Sequence, residues 1–285
     1  LRRHLTLPAP NTSAVTTNEK NMNVKAKKSL GQHFLKDEDT ARRIAETISG
    51  PELPEGHPDW GTMPVLEVGP GMGVLSKYLL ATGRSVKAVE LDSESVGFLA
   101  GVYPDLHVTE ADFLKLDLGT LFPGEFALIG NYPYNISSQI FFKVLDNRER
   151  IPVVAGMLQK EVAERICTGP GSKVYGILSV LLQAWYDCEY LFSVEPSVFA
   201  PPPKVRSGVL RLTRNSRTSL GCDPALFRRV VKTAFRQRRK ALRNSLAPPI
   251  PPGSPALLSE LMPLRPERLS VDQFIELTNL IATKS

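Results

Sequence analysis

The sequence predicts an α/β fold: a doubly wound sheet with helices on both faces fills most of the chain, and a small all-helical domain follows it. Three observations predict it. Short apolar runs alternate with stretches of helical periodicity from Thr40 to Leu212, as strands joined by crossover helices do. The first of those runs opens directly onto a glycine turn, Gly69, Gly71 and Gly73. After about Thr213 the alternation stops and the chain becomes basic, with helical spacing of its apolar residues.

Each element has its own signal. Ala41, Ile44, Ala45 and Ile48 recur at helical spacing and predict a helix over Thr40 to Ile48. "PELPEGHPDWGTMP" is a loop by its Pro and Gly content. Val65 to Val68 is a strand, Val74 to Ala81 a helix, Val86 to Val89 a strand, Ser93 to Ala100 a helix and His107 to Glu110 a strand. Phe126 to Ile129 is the next strand, followed by a helix over Ser137 to Leu145 and a strand over Val153 to Leu158. Lys160 to Ile166 begins a helix that Leu178 to Trp185 continues as a long apolar one, and Val205 to Leu212 alternates as a late strand. Phe227 to Leu246 reads as a basic helical region, "APPIPPGSP" as a loop, and Leu257 to Leu261 and Val271 to Leu280 as short helices. The expected division is residues 1–24 as a flexible extension, 25–214 as the α/β domain and 215–285 as a helical domain.

The 285 residues suffice for one large and one small domain, and 42% hydrophobic with 22% charged residues is a globular composition. No apolar run approaches the roughly 20 residues of a membrane helix. A net charge of +6 and a pI of about 9.2 favour a polyanionic partner. Cys167, Cys188 and Cys222 are far apart and odd in number, which indicates neither a zinc site nor a disulfide framework and fits a reducing cytoplasm. The first residues lack acids before Glu19 and lack a signal-peptide core. A transit peptide is one reading; the simpler expectation is that Met22 is the functional start.

The turn "VLEVGPGMGVL" places glycines between a strand and a helix, where the backbone turns tightly and a ligand meets no Cβ. A dinucleotide fingerprint would put glycine where Val74 stands, so the pattern suits S-adenosylmethionine, which carries no phosphate, with Glu67 just upstream. Glu90 ends the second strand, about 20 residues beyond the glycines, where a carboxylate takes both hydroxyls of a ribose. Asp112 follows the third strand in position to accept from an adenine amino group, with Phe113 beside it to stack on the ring. Either acid alone reads equally as a solvated strand end; glycines, Glu90 and Asp112 at three successive strand ends read as one binding cleft.

The fourth strand ends in Asn131-Tyr132-Pro133-Tyr134. A plain turn accounts for the Asn and Pro but not for two large aromatics at a strand end. The Asn131 side-chain oxygen and the Pro133 carbonyl would together accept both hydrogens of an exocyclic base amine and aim its lone pair at a methyl donor, while Tyr134 stacks on the base. Catalysis would then rest on orientation and preorganised polarity, on a base presented single-stranded or flipped. Phe199, ahead of three prolines, offers a second aromatic wall.

"KKSLGQHFL", "EVGPGMGVL", "VELD", "ADFLKLD", "NYPYNISS", "MLQKEVAERI", "VFAPPPKVRSGVLRL" and "FRQRRKALRNSL" follow one another from about Lys25 to the C-terminus. Together they resemble the ribosomal RNA adenine N6,N6-dimethyltransferase family, bacterial small-subunit branch. The resemblance implies a Rossmann-like, S-adenosylmethionine-dependent methyltransferase domain with a helical C-terminal domain. It implies small-subunit rRNA within a pre-mature 30S subunit as the partner, with two adjacent adenosines in the loop of the 3′-terminal helix dimethylated; apart from the resemblance, a monomer without a metal is expected. It places Gln32, His33, Leu35, Gly69, Gly71, Glu90, Asp112 and Asn131 on the cofactor, and Asn131, Pro133, Tyr134 and Phe199 on the target base. His33 stands where the family also has asparagine. Tyr132 stands where the family usually has leucine, which puts pocket size, and with it the ease of the second methylation, on this residue.

From Arg228 to Arg243 there are eight basic residues and no acid. Arg228, Lys232, Arg236, Arg239 and Arg243, with Lys240 beside them, are expected to form a basic stripe on a helix for RNA phosphates, with Phe227, Val231, Ala234, Phe235 and Leu242 inward. Three other readings remain open: a large-subunit rRNA adenine methyltransferase, a ribosome-assembly factor acting mainly by binding, and a DNA adenine methyltransferase.

Overall fold

The structure, a computed structural model, describes residues 24–49, 61–246, 250 and 254–283. The expected extension, up to residue 23, and most of the two Pro-rich loops lie outside the described residues. In chain order the elements are β1 (Phe34–Leu35), α1 (Glu38–Glu46), β2 (Val65–Val68), α2 (Val74–Leu80), β3 (Val86–Glu90), α3 (Ser93–Val102), β4 (His107–Glu110), β5 (Ala127–Asn131), α4 (Ser137–Asp146), β6 (Val153–Gln159), α5 (Lys160–Cys167), α6 (Ile177–Gln183), β7 (Tyr186–Val194), β8 (Phe199–Ala200), β9 (Ser207–Arg214), α7 (Pro224–Arg236), α8 (Leu242–Ser245) and α9 (Val271–Ala282).

Seven strands form one sheet in the order β4-β3-β2-β5-β6-β9-β7, and β1 pairs with β8 in a separate ribbon. The β2–β3, β3–β4, β2–β5 and β5–β6 pairs are parallel. β2 and β5 are buried along their apolar lengths, as central parallel strands must be when both faces are covered. The order reverses at β2, which sends its chain outward to β3 while β5 returns on its other side. A crevice opens at such a switch point, beyond the carboxyl ends of the strands. The core beneath it gathers Ile44 and Ile48 with Leu75, Leu79, Leu99, Ile129, Met157 and Val209, all fully or nearly buried. α1 starts where Asp37 accepts a hydrogen bond from the Thr40 N–H at 2.8 Å, a cap worth about 1 kcal/mol.

The chain divides into two compact units. One holds residues up to 160 together with 191–211; the other holds 161–190 and 212–285. The sequence-based boundary cuts the chain once, near 214, whereas these units interleave. In the second unit α7 and α9 are both capped, by Asp223 on the Leu226 N–H and by a reciprocal Ser270–Gln273 box. Tyr175, Phe235 and Phe274 form an aromatic row inside it, with ring centroids 6.3 and 6.0 Å apart.

Three expectations need correction. The long apolar helix from Lys160 to Trp185 is two helices, because Gly169-Pro170-Gly171 interrupts it and Gly171 takes φ +94°. Tyr186–Val194 is a nine-residue strand at the end of the sheet order; its acids, Asp187 and Glu189, alternate outward and mask an apolar pattern. The basic region is not one helix. α7 stops at Arg236, and Leu242 and Arg243 donate instead to the carbonyls of Leu264 and Met262.

Candidate active site

The crevice at the switch point is lined from the segment before β1 and from the turns after β2, β3, β4 and β5. Gln32, His33, Leu35, Gly69, Gly71, Glu90, Asp112, Phe113, Asn131, Pro133 and Tyr134 all line it. The sequence-predicted residues thus converge on one cavity, with a single exception among the cofactor and base candidates. Phe199 is 1% exposed and belongs to the core. Its backbone pairs with Leu35 in the β1–β8 ribbon, and it is not among the residues that line the cavity.

Gly69, Gly71 and Gly73 all adopt positive φ. At Gly71, with φ +58°, a Cβ would also press on the Phe34 ring at 3.0 Å. The turn brings the Gly71 N–H to Glu90 Oε2 at 3.1 Å, and Glu90 Oε1 accepts from the N–H groups of Leu91 and Asp92 at 2.8 and 2.9 Å. Burial raises the Glu90 pKa, and those three donors hold the rise back. Glu67, one strand over, is buried with one donor, Ser76 Oγ at 2.5 Å. Burial pushes its pKa up to about 8, aided by the nearby Glu90 charge, so Glu67 carries a proton at neutral pH.

Asp112 accepts from the Leu114 N–H at 2.9 Å, which rounds the turn after β4. Lys143 braces that turn by donating to the carbonyls of Leu114 and Leu116, and its ammonium sits 5.5 Å from the Phe113 ring centroid. Gln32 lines the cavity with both ends of its amide engaged: Oε1 accepts from the Lys27 N–H at 2.8 Å, and Nε2 donates to Asp92 at 3.4 Å. Lys27 itself pairs with Asp92 and with Glu94, the latter at 3.1 Å. Burial pushes the Asp92 carboxyl up, but hydrogen bonds from Lys27, Gln32 and Ser95 hold it below the usual range. Sequence reasoning missed this latch, although "KKSLGQHFL" and "VELD" contain most of it.

At the end of β5, Asn131 Nδ2 donates to the His33 carbonyl at 3.0 Å. A carbonyl only accepts, so this bond fixes the amide's orientation and leaves Oδ1 as the acceptor at the cavity. The Pro133 carbonyl takes a long 3.3 Å bond from the Ile136 N–H and keeps its second lone pair. Tyr134 is anchored through its hydroxyl to Ser207 Oγ, and the His33 ring lies 5.5 Å from its ring, tilted 33°. His33 Nδ1 is 2.8 Å from the Pro201 carbonyl and therefore carries the proton when the ring is neutral. Tyr132, expected to set the pocket's size, is among the residues that line the cavity and is closed to solvent; its hydroxyl donates to the Ala155 carbonyl at 2.7 Å.

The basic candidates lie in the second unit. Arg228 is half-buried, and Lys232, Arg236, Arg239, Lys240 and Arg243 are exposed. Only Arg228, Lys232 and Arg236 share the α7 face; Arg239 and Lys240 are in the following turn, and Arg243 is in α8. Phe227, Val231, Ala234 and Leu242 are buried, as expected of the inward side, and Phe235 is half-buried. Among the described residues no helix is long and apolar enough to cross a membrane, and no group of three or more His, Cys, Asp or Glu is placed to hold a metal.

A mostly parallel sheet with a glycine turn after its central strand and an acid-lined crevice at the switch point is the architecture of a Rossmann-like, S-adenosylmethionine-dependent methyltransferase. The model of one family, ribosomal RNA adenine dimethylase, matches residues 23–283, and the chain belongs to that family. It is 59% identical over 263 residues to a ribosomal RNA small subunit methyltransferase A of Parabacteroides distasonis, covering 92% of this chain and 95% of that one. Among solved structures it resembles a dimethyladenosine transferase from Plasmodium falciparum, with TM-score 0.70, 24% identity and 86% and 96% of the two chains covered. It also resembles the 23S rRNA methyltransferase ErmE, with TM-score 0.59, 27% identity and 88% and 100% covered.

Proposed function

We propose that this chain methylates the N6 amines of two adjacent adenosines in the 3′-terminal hairpin loop of small-subunit rRNA, two methyls to each. It would act as a cytoplasmic monomer on an immature small subunit, without a metal. The observation that carries the chemistry is the charge of the crevice. Its lining includes the acids Glu90 and Asp112 beside the protonated Glu67, and none of its described lining residues is Lys or Arg. Such a cavity suits a cationic ligand with hydroxyls and no phosphate, which is the character of S-adenosylmethionine.

When bound, S-adenosylmethionine supplies an electrophilic methyl on a sulfonium. Glu90, held by three N–H groups, would take the ribose hydroxyls. Asp112 would accept from the adenine amine and Phe113 would flank its ring. Leu35 and the glycine turn would close around the ligand, with Gln32 and Lys27 holding the N-terminal segment in place. On the substrate side, Tyr134 would stack on the target base, and Asn131 Oδ1 and the Pro133 carbonyl would accept its amine hydrogens. The two acceptors draw the nitrogen toward a pyramidal shape and free its lone pair from the ring. Held in this way the amine nitrogen would face the donor methyl that S-adenosylmethionine would supply, and the proton that the amine sheds would pass to solvent. Preorganised acceptors of this type act by orientation and electrostatics rather than by a strong base. Arg228, Lys232, Arg236, Arg239, Lys240 and Arg243 would contact rRNA phosphates, and the base itself would be read in the pocket.

The test is transfer from labelled S-adenosylmethionine to unmethylated small and large ribosomal subunits, with nucleosides identified by mass. Dimethyladenosine confined to the 3′ end of small-subunit rRNA is expected. Label in large-subunit rRNA would favour an activity of the kind named for ErmE, and cofactor binding without transfer would favour an assembly factor.

A further inference from the structure

Lys143 lies outside the crevice lining, but the turn that carries Asp112 and Phe113 into the crevice leans on its side chain. That turn, after β4, closes on itself at Asp112. The Asp112 carbonyl accepts from the N–H groups of Lys115 and Leu116 at 3.0 and 3.1 Å, and its Oδ1 accepts from the Leu114 N–H at 2.9 Å. The carbonyls at the far end of the turn need a donor from elsewhere, as part-buried backbone acceptors do. One ammonium supplies both. Lys143, half-buried on α4, donates to the Leu114 carbonyl at 3.1 Å and to the Leu116 carbonyl at 2.6 Å. It also sits 5.5 Å from the Phe113 ring centroid, within reach of a cation–π contact. Burial lowers the Lys143 pKa, and the charges of Asp112, Asp117 and Asp146 oppose that.

The second Asp112 oxygen, Oδ2, meets the Lys115 ammonium at 3.5 Å. The Lys115 side chain is 84% exposed, so this pair is weak and open to exchange. Oδ2 is therefore the oxygen that a ligand amine can take, and its aim follows from how Oδ1 is held. The Leu114 N–H holds Oδ1, and the Leu114 carbonyl is held by Lys143. The two contacts thus pin adjacent peptide planes of one residue.

We propose that Lys143 is a positioning residue for cofactor selectivity: by holding the Leu114 and Leu116 carbonyls it fixes the Asp112 carboxylate, and with it the preference for a purine that bears a 6-amine. This role rests on the functional reading above, in which Asp112 accepts from the adenine amine. A hydrogen bond from an amine weakens steeply as its angle opens. A turn free to swing therefore loses the amine before it loses the ring. Phe113 is 5% exposed and fixed by packing, so its contact with the purine outlasts the loss of the lysine.

The test uses the full-length protein with Lys143→Met, which keeps an apolar stem and removes both bonds. Calorimetry compares two probes: S-adenosylhomocysteine, and its analogue with purine in place of adenine, which lacks only the 6-amine. In Lys143→Met the Kd of S-adenosylhomocysteine should rise about five- to tenfold, the scale of a lost charge-assisted hydrogen bond. The Kd of the purine analogue should stay within about twofold of wild type, as should kcat at saturating S-adenosylmethionine. Lys143→Gln, which retains an N–H donor without the charge, should lose the same selectivity to a smaller degree, and it carries the comparison if Lys143→Met folds poorly. Equal weakening of both probes, which a general packing defect would give, would overturn the proposal. So would wild-type affinity for S-adenosylhomocysteine, or a fall in kcat without a fall in affinity. Wild-type protein that bound the two probes alike would overturn the functional reading of Asp112, and this role with it.

Discussion

The two halves of the crevice are built by different means. The half we propose for the cofactor is made by the main chain: positive-φ glycines after β2, and a Glu90 carboxylate held by three backbone N–H groups. The half we propose for the target base is made by side-chain tethers: Asn131 to the His33 carbonyl, Tyr132 to the Ala155 carbonyl, and Tyr134 to Ser207. Main-chain construction gives a cradle that depends on glycine and on one acid. Tethered construction gives acceptors whose aim depends on residues distant in sequence. A binding surface tolerates the first, since it must only hold a ligand. A transfer step needs the second, since a small change in aim costs rate more than affinity.

The sharpest way to break this comparison is to damage each half separately. Asn131→Ala removes an acceptor and frees the His33 carbonyl. Its kcat should fall about 10²- to 10³-fold, the usual cost of one preorganised polar contact, while calorimetry still detects cofactor binding. Glu90→Gln should do the reverse. It keeps the shape and removes the charge that three N–H groups support, so S-adenosylmethionine affinity should fall about 10- to 100-fold, with a smaller change in kcat at saturation. If both variants changed affinity and rate in the same proportion, the division would be wrong.

Glu67 sharpens the contrast with Glu90 through stability. Its folded pKa of about 8 lies above the ordinary 4.5. Below pH 4.5 it is protonated in both states and has no effect. Between about 4.5 and 8 the folded state keeps a proton that the unfolded state has lost, so stability falls as pH rises, by up to about 1.4 kcal/mol per unit. Above about pH 8 the loss is complete. Glu67→Gln should remove this slope and gain stability at pH 8, read from denaturant titrations across pH. A variant that kept the slope would place the titration elsewhere.

The smallest effect is expected at the Lys27 latch, where an exposed ammonium faces Asp92 and Glu94. Lys27→Met should speed cofactor dissociation by about two- to fivefold at low salt, and the difference should shrink in high salt. Stopped-flow dissociation at two ionic strengths measures it.

Most of this cleft was legible in the sequence because strand ends are local. Gly69, Gly71, Glu90, Asp112 and Asn131 each follow an apolar run that reads as a strand, and a doubly wound sheet brings such ends together. What was not legible depends on pairings across the chain. Nothing near Phe199 shows that its backbone pairs with Leu35 and that the residue belongs to the core. Nothing near Tyr132 shows that its hydroxyl reaches the Ala155 carbonyl on the adjacent strand. The strand Tyr186–Val194 was hidden by outward acids, and the break after Arg236 is set by carbonyls at Met262 and Leu264. The basic residues beyond Arg236 were legible as charge but not as one helical face.

The most direct test is a crystal structure with S-adenosylhomocysteine bound. The account predicts the ribose hydroxyls on Glu90, the adenine between Asp112 and Phe113, and the sulfur directed at the Asn131–Tyr134 turn. A ligand that left Glu90 untouched, or that placed its sulfur away from Asn131, would contradict it.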